Sequence, residues 1–396
     1  MRVSTSTLFR NGLNAMQQQQ SGIAKAQQQI ATGKRILAPS DDPVGAQRVL
    51  DLQQSLGLNQ RYQQNGTRAA QRLAVEETAL DGVMTALQRV RELAIQGNND
   101  THTAEDRQAI ALEIEERLEE LVSLANAQDG NGEFLFAGNA TRTKPFARIA
   151  GGSVVYNGDD GQRRLPVGPE YQVAVGDAGS EVFMAIPNGN GTFVVEADPT
   201  NSGEGIIGPG TVLDAALWAS SSQSYTITFN NPPDSFDIDD GSGSTTQAFV
   251  SGEAITFAGV EVTITGQPAA GDSFSINSSA NQDLFQTVQN VIDALRTPSG
   301  ANAKVHNAVN RFLTDVDQSM ERINVVRAEI GARLNAVETQ GQANEDFALQ
   351  LSETISTIQD VDYAEAISRL NQHLVALEAS QQSFLRVQDL SLFRFL

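Results

Sequence analysis

Cysteine is absent from the sequence, which excludes disulfides and thiolate metal sites and removes the usual marker of redox compartment. Cations are scarce: 27 Lys and Arg stand against 48 Asp and Glu, for a net charge of -21. Counterion release from a phosphate backbone needs clustered Lys and Arg, so nucleic acid and anionic membrane surfaces are poor partners for this chain. No apolar run approaches the roughly 20 residues that a membrane-spanning helix requires. The opening Met1-Arg2-Val3-Ser4-Thr5-Ser6-Thr7-Leu8-Phe9 also lacks the apolar stretch and small-residue cleavage site of a secretory signal. The histidines, His102, His306 and His373, are too far apart for any metal-ligand spacing and read as surface or seam residues. On composition alone the expectation is a cytoplasmic protein, and 396 residues at 40% hydrophobic allow two or three domains with sizeable cores.

What is present is heptad patterning at both ends. Phe9, Met16, Ile23 and Ile30 stand seven residues apart, as do Leu370, Leu377 and Phe384, so both termini are written as helices that pack on other helices. The second seam position is partly polar in each: Leu13 is followed by Gln20 and Gln27, and Ile367 and Leu374 by Gln381 and Gln388 before Phe395. Seams so interrupted are weak by themselves, so the ends are expected to gain order from partners. A chain with weak coiled-coil ends and everything else between them reads as an assembly subunit.

Helical period continues to about Gln128, with Leu73, Leu80 and Leu87 plus Val83 and Val90 in one seam and Ile110, Ile114, Leu118, Leu121 and Ala125 in another. From about Gly130 to Ala280 the composition turns to Gly, Thr, Ser, Val, Asp and aromatics. Alternating runs such as Ser224-Tyr225-Thr226-Ile227-Thr228-Phe229 and Gly259-Val260-Glu261-Val262-Thr263-Ile264 predict half-buried strands. Val154-Val155-Tyr156 before Asn157-Gly158 predicts a strand entering a hairpin turn. Helical period returns near Asn281, and Val309, Val316, Ile323, Ile330 and Val337 put a β-branched residue at every seventh place. A helix over Ala303 to Gln340 would span roughly 57 Å.

The predicted fold class is therefore mainly α with a β insertion: an elongated rod of long antiparallel helices from the N- and C-terminal segments, with terminal coiled-coil helices and a central β-rich domain. The expected divisions are 1–48 with 350–396 as a terminal assembly domain, 49–180 with 281–349 as a helical rod bearing a β-hairpin region, and 181–280 as a surface-exposed β-rich domain.

Small motifs that resemble active sites read better as punctuation. Gly33 before Lys34-Arg35 suits a helix end, and Asp42 before Pro43 suits an N-cap and first helical position. Asp362 with Glu365 three residues on resembles a capping pair, so Asp360-Val361-Asp362-Tyr363 predicts a helix break and restart. Asp234-Ser235-Phe236-Asp237-Ile238-Asp239-Asp240-Gly241 is out of register for a calcium loop and predicts a solvated turn. No nucleophile, base and oxyanion hole assemble in sequence, so no catalytic, cofactor-binding or metal residues are expected. Trp218, Tyr225 and the Asp-rich turns would line a groove if the insertion were an enzyme or a glycan binder.

Two sets of residues carry a family resemblance. Gln29-Ile30-Ala31-Thr32-Gly33-Lys34-Arg35-Ile36 leading to Pro39-Ser40-Asp41-Asp42-Pro43 resembles the amino-terminal signature of bacterial flagellins and their hook-associated relatives. Ile330-Gly331-Ala332-Arg333-Leu334-Asn335, Ile358-Gln359-Asp360-Val361-Asp362-Tyr363-Ala364-Glu365-Ala366 and Leu390-Ser391-Leu392-Phe393 resemble the carboxy-terminal half. Met1-Arg2-Val3-Ser4-Thr5, Gly132-Glu133-Phe134-Leu135-Phe136-Ala137-Gly138, Lys144-Pro145-Phe146 and Tyr156-Asn157-Gly158-Asp159 are more similar to the hook-associated branch that joins hook to filament than to flagellin. The stretch from about Ser180 to Ala280 carries no resemblance.

The resemblance implies a non-enzymatic adaptor without cofactors, exported unfolded through the flagellar type III channel without a cleaved signal peptide. It implies an extracellular place in the flagellum, in a ring or layer with copies of itself, touching the hook-side junction protein and flagellin, with an export chaperone beforehand. The assembly residues expected are Phe9, Leu13, Met16, Ile23, Ile30, Leu370, Leu374, Leu377, Phe384 and Leu392. Leu87-Gln88-Arg89-Val90-Arg91-Glu92-Leu93-Ala94 resembles a flagellin helix used in subunit contacts and in recognition by the host flagellin receptor; Arg89, Arg91 and Glu92 would face a neighbour. The competing readings are a flagellin filament subunit and a non-flagellar coiled-coil binding protein.

Overall fold

The computed structural model describes residues 5–149, 152–298 and 302–389. The chain divides into two compact units, one drawn from residues up to Gln64 and from Gln340 onward, the other from Asn65 to Thr339. The helices are α1 (Thr5–Thr32), α2 (Pro43–Gly97), α3 (Ala104–Ala125), α4 (Ala215–Ala219), α5 (Leu284–Leu295), α6 (Asn302–Gln359) and α7 (Tyr363–Asp389). The strands are β1 (Phe146–Arg148), β2 (Val154–Tyr156), β3 (Arg164–Pro166), β4 (Gln172–Ala174), β5 (Ile186–Pro187), β6 (Phe193–Ala197), β7 (Ile206–Ile207), β8 (Thr211–Val212), β9 (Ser224–Phe229), β10 (Ser235–Asp239), β11 (Ser244–Ala248), β12 (Ala254–Phe257), β13 (Val260–Thr265), β14 (Ser273–Ser278) and β15 (Asn281–Gln282). The chain is mainly α with a β insertion, as the periodicity predicts, and α6 runs on past the expected Gln340.

In the second unit α2 and α6 are antiparallel: Glu77 pairs with Arg327, Arg91 with Asp317, and Asn98 with His306. The seam predicted on α6 is sealed, since Val309, Val316, Ile323 and Ile330 are fully buried and Val337 nearly so. They share a core with Leu73, Leu80 and Leu87 of α2, Ile114, Leu118 and Leu121 of α3, and Leu284, Val288, Val291 and Leu295 of α5. Each fully buried Leu contributes about 1.5–3 kcal/mol by leaving water. Thr103 opens α3 with a reciprocal capping box to Asp106, satisfying two main-chain donors at the helix start. Phe136, Phe146, Phe183 and Phe285 extend this core as a ring cluster with centroids 5.1–6.0 Å apart, edge-on for Phe183 with Phe136 and Phe146 and tilted for Phe285.

The insertion has a second, separate core. Its five-stranded sheet runs β11-β10-β9-β14-β6, and β13 pairs with β12, β7 and β8; all pairings are antiparallel. Alternation along β9 and β13 buries Tyr225, Ile227 and Phe229 and Val260, Val262 and Ile264, as the sequence predicts. The chain enters and leaves through a neck in which β5 pairs with β15. Val182 and Phe183, just before the neck, and Ile186 within it belong to the helical core.

Local expectations are corrected. Residues 234–241, expected as a solvated turn, are mostly strand β10, with Phe236 and Ile238 buried. Val154–Tyr156 closes a hairpin with β1 instead of opening one, with Phe146 opposite Tyr156. The next residue, Asn157, donates its N–H to Pro145 O at 2.7 Å, which carries the pairing with the β1 side one residue further. Trp218 and Tyr225 line no groove: both are buried, with rings 5.9 Å apart, and Trp218 also packs on Phe193.

Candidate assembly surface

The first unit is built on a joint between two chain reversals that are far apart in sequence. Gly33 ends α1 at φ +71°, a left-handed conformation that glycine adopts without a Cβ penalty. The following Arg35 donates its N–H to Gln359 O at 2.7 Å, and Val361 donates to Gly33 O at 2.9 Å. The Arg35 guanidinium also reaches Ile358 O at 2.7 Å, and Gln29 Nε2 reaches Arg35 O. The two sequence motifs at opposite ends of the chain are thus the two halves of one structure.

Acidic caps fix both reversals. Asp41 accepts from Leu37 N and Ala38 N and from Lys25 Nζ at 2.6 Å; the lysine bond first, then the two amides, hold its carboxyl below the usual range. Asp42 accepts from Gly45 N at 2.9 Å, the main reason its carboxyl is also depressed. Asp362 accepts from Ala364 N and Glu365 N and so restarts the helix after the break. The predicted helix boundaries hold, and these carboxylates serve as caps.

From the joint, α1 and α7 run antiparallel as a pair. Phe9 packs on Phe384 with ring centroids 4.8 Å apart, and His373 Nδ1 lies 2.7 Å from Gln19 Oε1. A Cβ on Gly22 would lie 2.8 Å from the His373 ring, so glycine permits the close approach there. The expectation that the terminal seams wait for other subunits changes accordingly: each is helical and finds a first partner in the opposite end of the chain. One partner does not complete either seam. Met16, Ile23, Ile30, Leu370, Leu377 and Phe384 are half-buried, whereas Phe9, Leu13 and Leu374 are more than 40% exposed. Leu392 lies outside the described residues.

The sequence reading omitted Val375 and Leu385, exposed at 67% and 59%. Each directly follows a seam residue, Leu374 or Phe384, and an apolar pair at adjacent positions widens the stripe beyond what one neighbour covers. Tyr363 and Ile367 are also open on α7. Such a stripe has no chemistry to perform; it can bury itself against another helix.

Arg89, Arg91 and Glu92, in the second unit, are occupied within the chain. Arg89 pairs with Glu113 at 2.7 Å and with Glu92 at 3.1 Å, and Arg91 with Asp317 at 3.1 Å. All are exposed or half-exposed, so these pairs are weak, but the side chains are not the free contacts expected from the helix alone. Among the described residues no group of three or more His, Asp or Glu is placed to hold a metal ion, and no helix is long and apolar enough to cross a membrane.

Comparison with known proteins agrees with this geometry. Residues 3–141 match the bacterial flagellin N-terminal helical region and residues 313–396 the bacterial flagellin C-terminal helical region. The flagellar hook-associated protein 3 of Salmonella typhimurium is 26% identical over 100% of this chain and 99% of its own. Crystal structures of FlgL from Xanthomonas campestris and of flagellar hook-associated protein-3 from Legionella pneumophila are each 32% identical. They cover 77% and 78% of this chain and 99% and 98% of their own, with TM-scores of 0.71 and 0.72. With both helical arms and the intervening sequence matched in order, the chain belongs to the flagellar hook-associated protein 3 family.

Proposed function

We propose that this chain is the structural adaptor that joins the flagellar hook to the flagellin filament, acting by packing and without catalysis. The observation that carries the reading is the unfinished α1–α7 pair. Its two helices are ordered by each other, yet Phe9, Leu13, Ile367, Leu374, Val375 and Leu385 remain open. Covering any one of them with a neighbouring helix contributes up to about 1.5–3 kcal/mol. Copies of the chain form a layer through these residues, the hook-side junction protein occupies one side of the layer, and flagellin adds on the other.

Passage through the flagellar type III channel, with an export chaperone shielding the same helices beforehand, fits a chain without disulfides. Extracellular placement then follows without a cleaved signal. The subdivision into a terminal assembly domain, a helical domain and an outer β domain follows the same logic, with only the first carrying the contacts that build the layer.

Electron microscopy of the purified chain, alone and mixed with hooks bearing the hook-side junction protein, tests the reading. The expected result is attachment to hook ends and no long polymer from the chain alone. Long filaments grown unaided would replace the adaptor with a filament subunit, and failure to bind the hook ends would remove the flagellar junction role.

A further inference from the structure

We propose that the free edge of strand β11 is a docking site for an extended, Lys- or Arg-bearing peptide segment of another protein, added as a further antiparallel strand. The first observation is the open ladder. Among the described residues β11 (Ser244–Ala248) ends its sheet, has a strand partner only in β10, and is exposed at every position. Phe249 N bonds to Asp234 O and Asp240 N to Gly243 O, which fixes the phase of the hairpin. Because hydrogen-bonded pairs alternate along an antiparallel ladder, Thr245 and Gln247 bond inward to β10. Ser244, Thr246 and Ala248 therefore point their N–H and C=O groups outward. Open edges are usually blunted by charge, proline or a bulge; Ser-Thr-Thr-Gln-Ala has none of these.

The second observation is charge. Between Arg164 and Arg296 there is no Lys, Arg or His, and there are sixteen Asp and Glu. Asp237 and Asp239 stand directly opposite Thr246 and Ser244, on the same face of the sheet. Thr246 Oγ1 donates to Asp237 Oδ1 at 2.5 Å. A residue of an added strand opposite Thr246 would share that face, two strand spacings, roughly 9.5 Å, from the Asp237 backbone. Ser244, Thr246 and Ala248 are small, so a Lys or Arg side chain can lie across β11 to the carboxylates of β10 while the backbones pair. Main-chain bonds supply the attachment and alternate cations the selectivity. A second copy of this chain would bring the same uncompensated negative charge to the edge and is disfavoured.

Panning a displayed library of random seven-residue peptides on the full chain tests this. Binders are expected to carry Lys or Arg at alternate positions and to weaken as salt rises. Asp237→Asn with Asp239→Asn should lower their affinity roughly fivefold to tenfold. Thr246→Pro removes an outward N–H without breaking the β10 ladder and should abolish binding, whereas Thr246→Val should retain it. In the unmodified protein, bound peptide should slow amide hydrogen exchange at Ser244, Thr246 and Ala248 but leave Thr245 and Gln247 unchanged, a readout independent of how the proline variant folds. Binders without cations, no binders above background, protection lacking this alternation, or a peptide-free dimer lost on Thr246→Pro would each overturn the proposal.

Discussion

Replacing Glu76 with Gln should stabilise the second unit and flatten its response to pH. Glu76 is fully buried on α2. Its Oε1 accepts from Asp177 N at 3.0 Å, while Oε2 has no hydrogen-bond partner. Burial first, and the neighbouring Asp177 carboxylate second, push its carboxyl up from 4.5 to about 8, against the weaker pull of the Asp177 N–H and then of Arg333 and Arg72. A folded pKa above the unfolded one means that the native state holds a proton which the unfolded chain releases. The stability is thus fully present below pH 4.5 and is lost as pH rises through 8. At about 1.4 kcal/mol per pH unit, holding that proton at pH 7 costs about 3 kcal/mol. Gln is neutral in both states and avoids this cost, although its second N–H finds no acceptor and returns about 1 kcal/mol. A net gain of about 2 kcal/mol at pH 7 is expected, falling to zero at about pH 5 and becoming a loss of about 1 kcal/mol below about pH 4.5. Urea unfolding of both proteins at pH 5, 7 and 8.5, followed by circular dichroism, measures it. Parallel pH profiles, or a variant less stable at every pH, would mean that Glu76 is an ionised partner of Arg72 and Arg333, and the burial argument would fail.

Two other substitutions separate folding from assembly. Ile23→Asp and Phe384→Asp place a charge on half-buried seam positions, so the isolated chain should lose only about 1 kcal/mol, while cells making either variant shed filaments and release flagellin into the medium. The amount of variant exported must be measured alongside, and normal filament anchoring at normal export would remove the seam from the assembly surface. Replacing residues 189–279 by a short Gly-Ser linker should leave the helical core and its melting transition intact, because the cut falls after Val182, Phe183 and Ile186 and the neck strands already hold the ends together. A large loss of helical signal in that variant would show that the two cores depend on each other.

Sequence made some of this legible and hid the rest for definable reasons. The repeat Val309, Val316, Ile323, Ile330 and Val337 announced its own burial because helical period and core packing coincide along a single helix. The break at Asp360 was legible because a cap is local: Asp362 bonds the amides two and three residues on. The direction of pairing at Val154–Tyr156 was not, since three residues do not specify which neighbour completes their ladder. Nor was the fate of Arg89 and Arg91, whose partners Glu113 and Asp317 lie 24 and 226 residues away. Trp218 is as compatible with a groove as with a core until the Phe193 and Tyr225 rings are seen beside it.

The distribution of charge over the two units bears on the proposed assembly. Residues 1–64 and 340–396 together hold ten Lys and Arg against eleven Asp and Glu. Residues 65–339 hold seventeen against thirty-seven. Nearly all of the net charge of -21 therefore belongs to the second unit. At physiological salt, charges screen within about 8 Å, so what matters for packing is the charge on the surfaces that meet. Under the proposed function, a near-neutral first unit with open Leu, Val and Phe side chains would bring copies together without a large electrostatic cost. The second unit's excess of carboxylates opposes random association of everything else. Reversing that distribution would give a first unit that repels its copies and a second unit that sticks to them, the opposite of what the proposed layer would require.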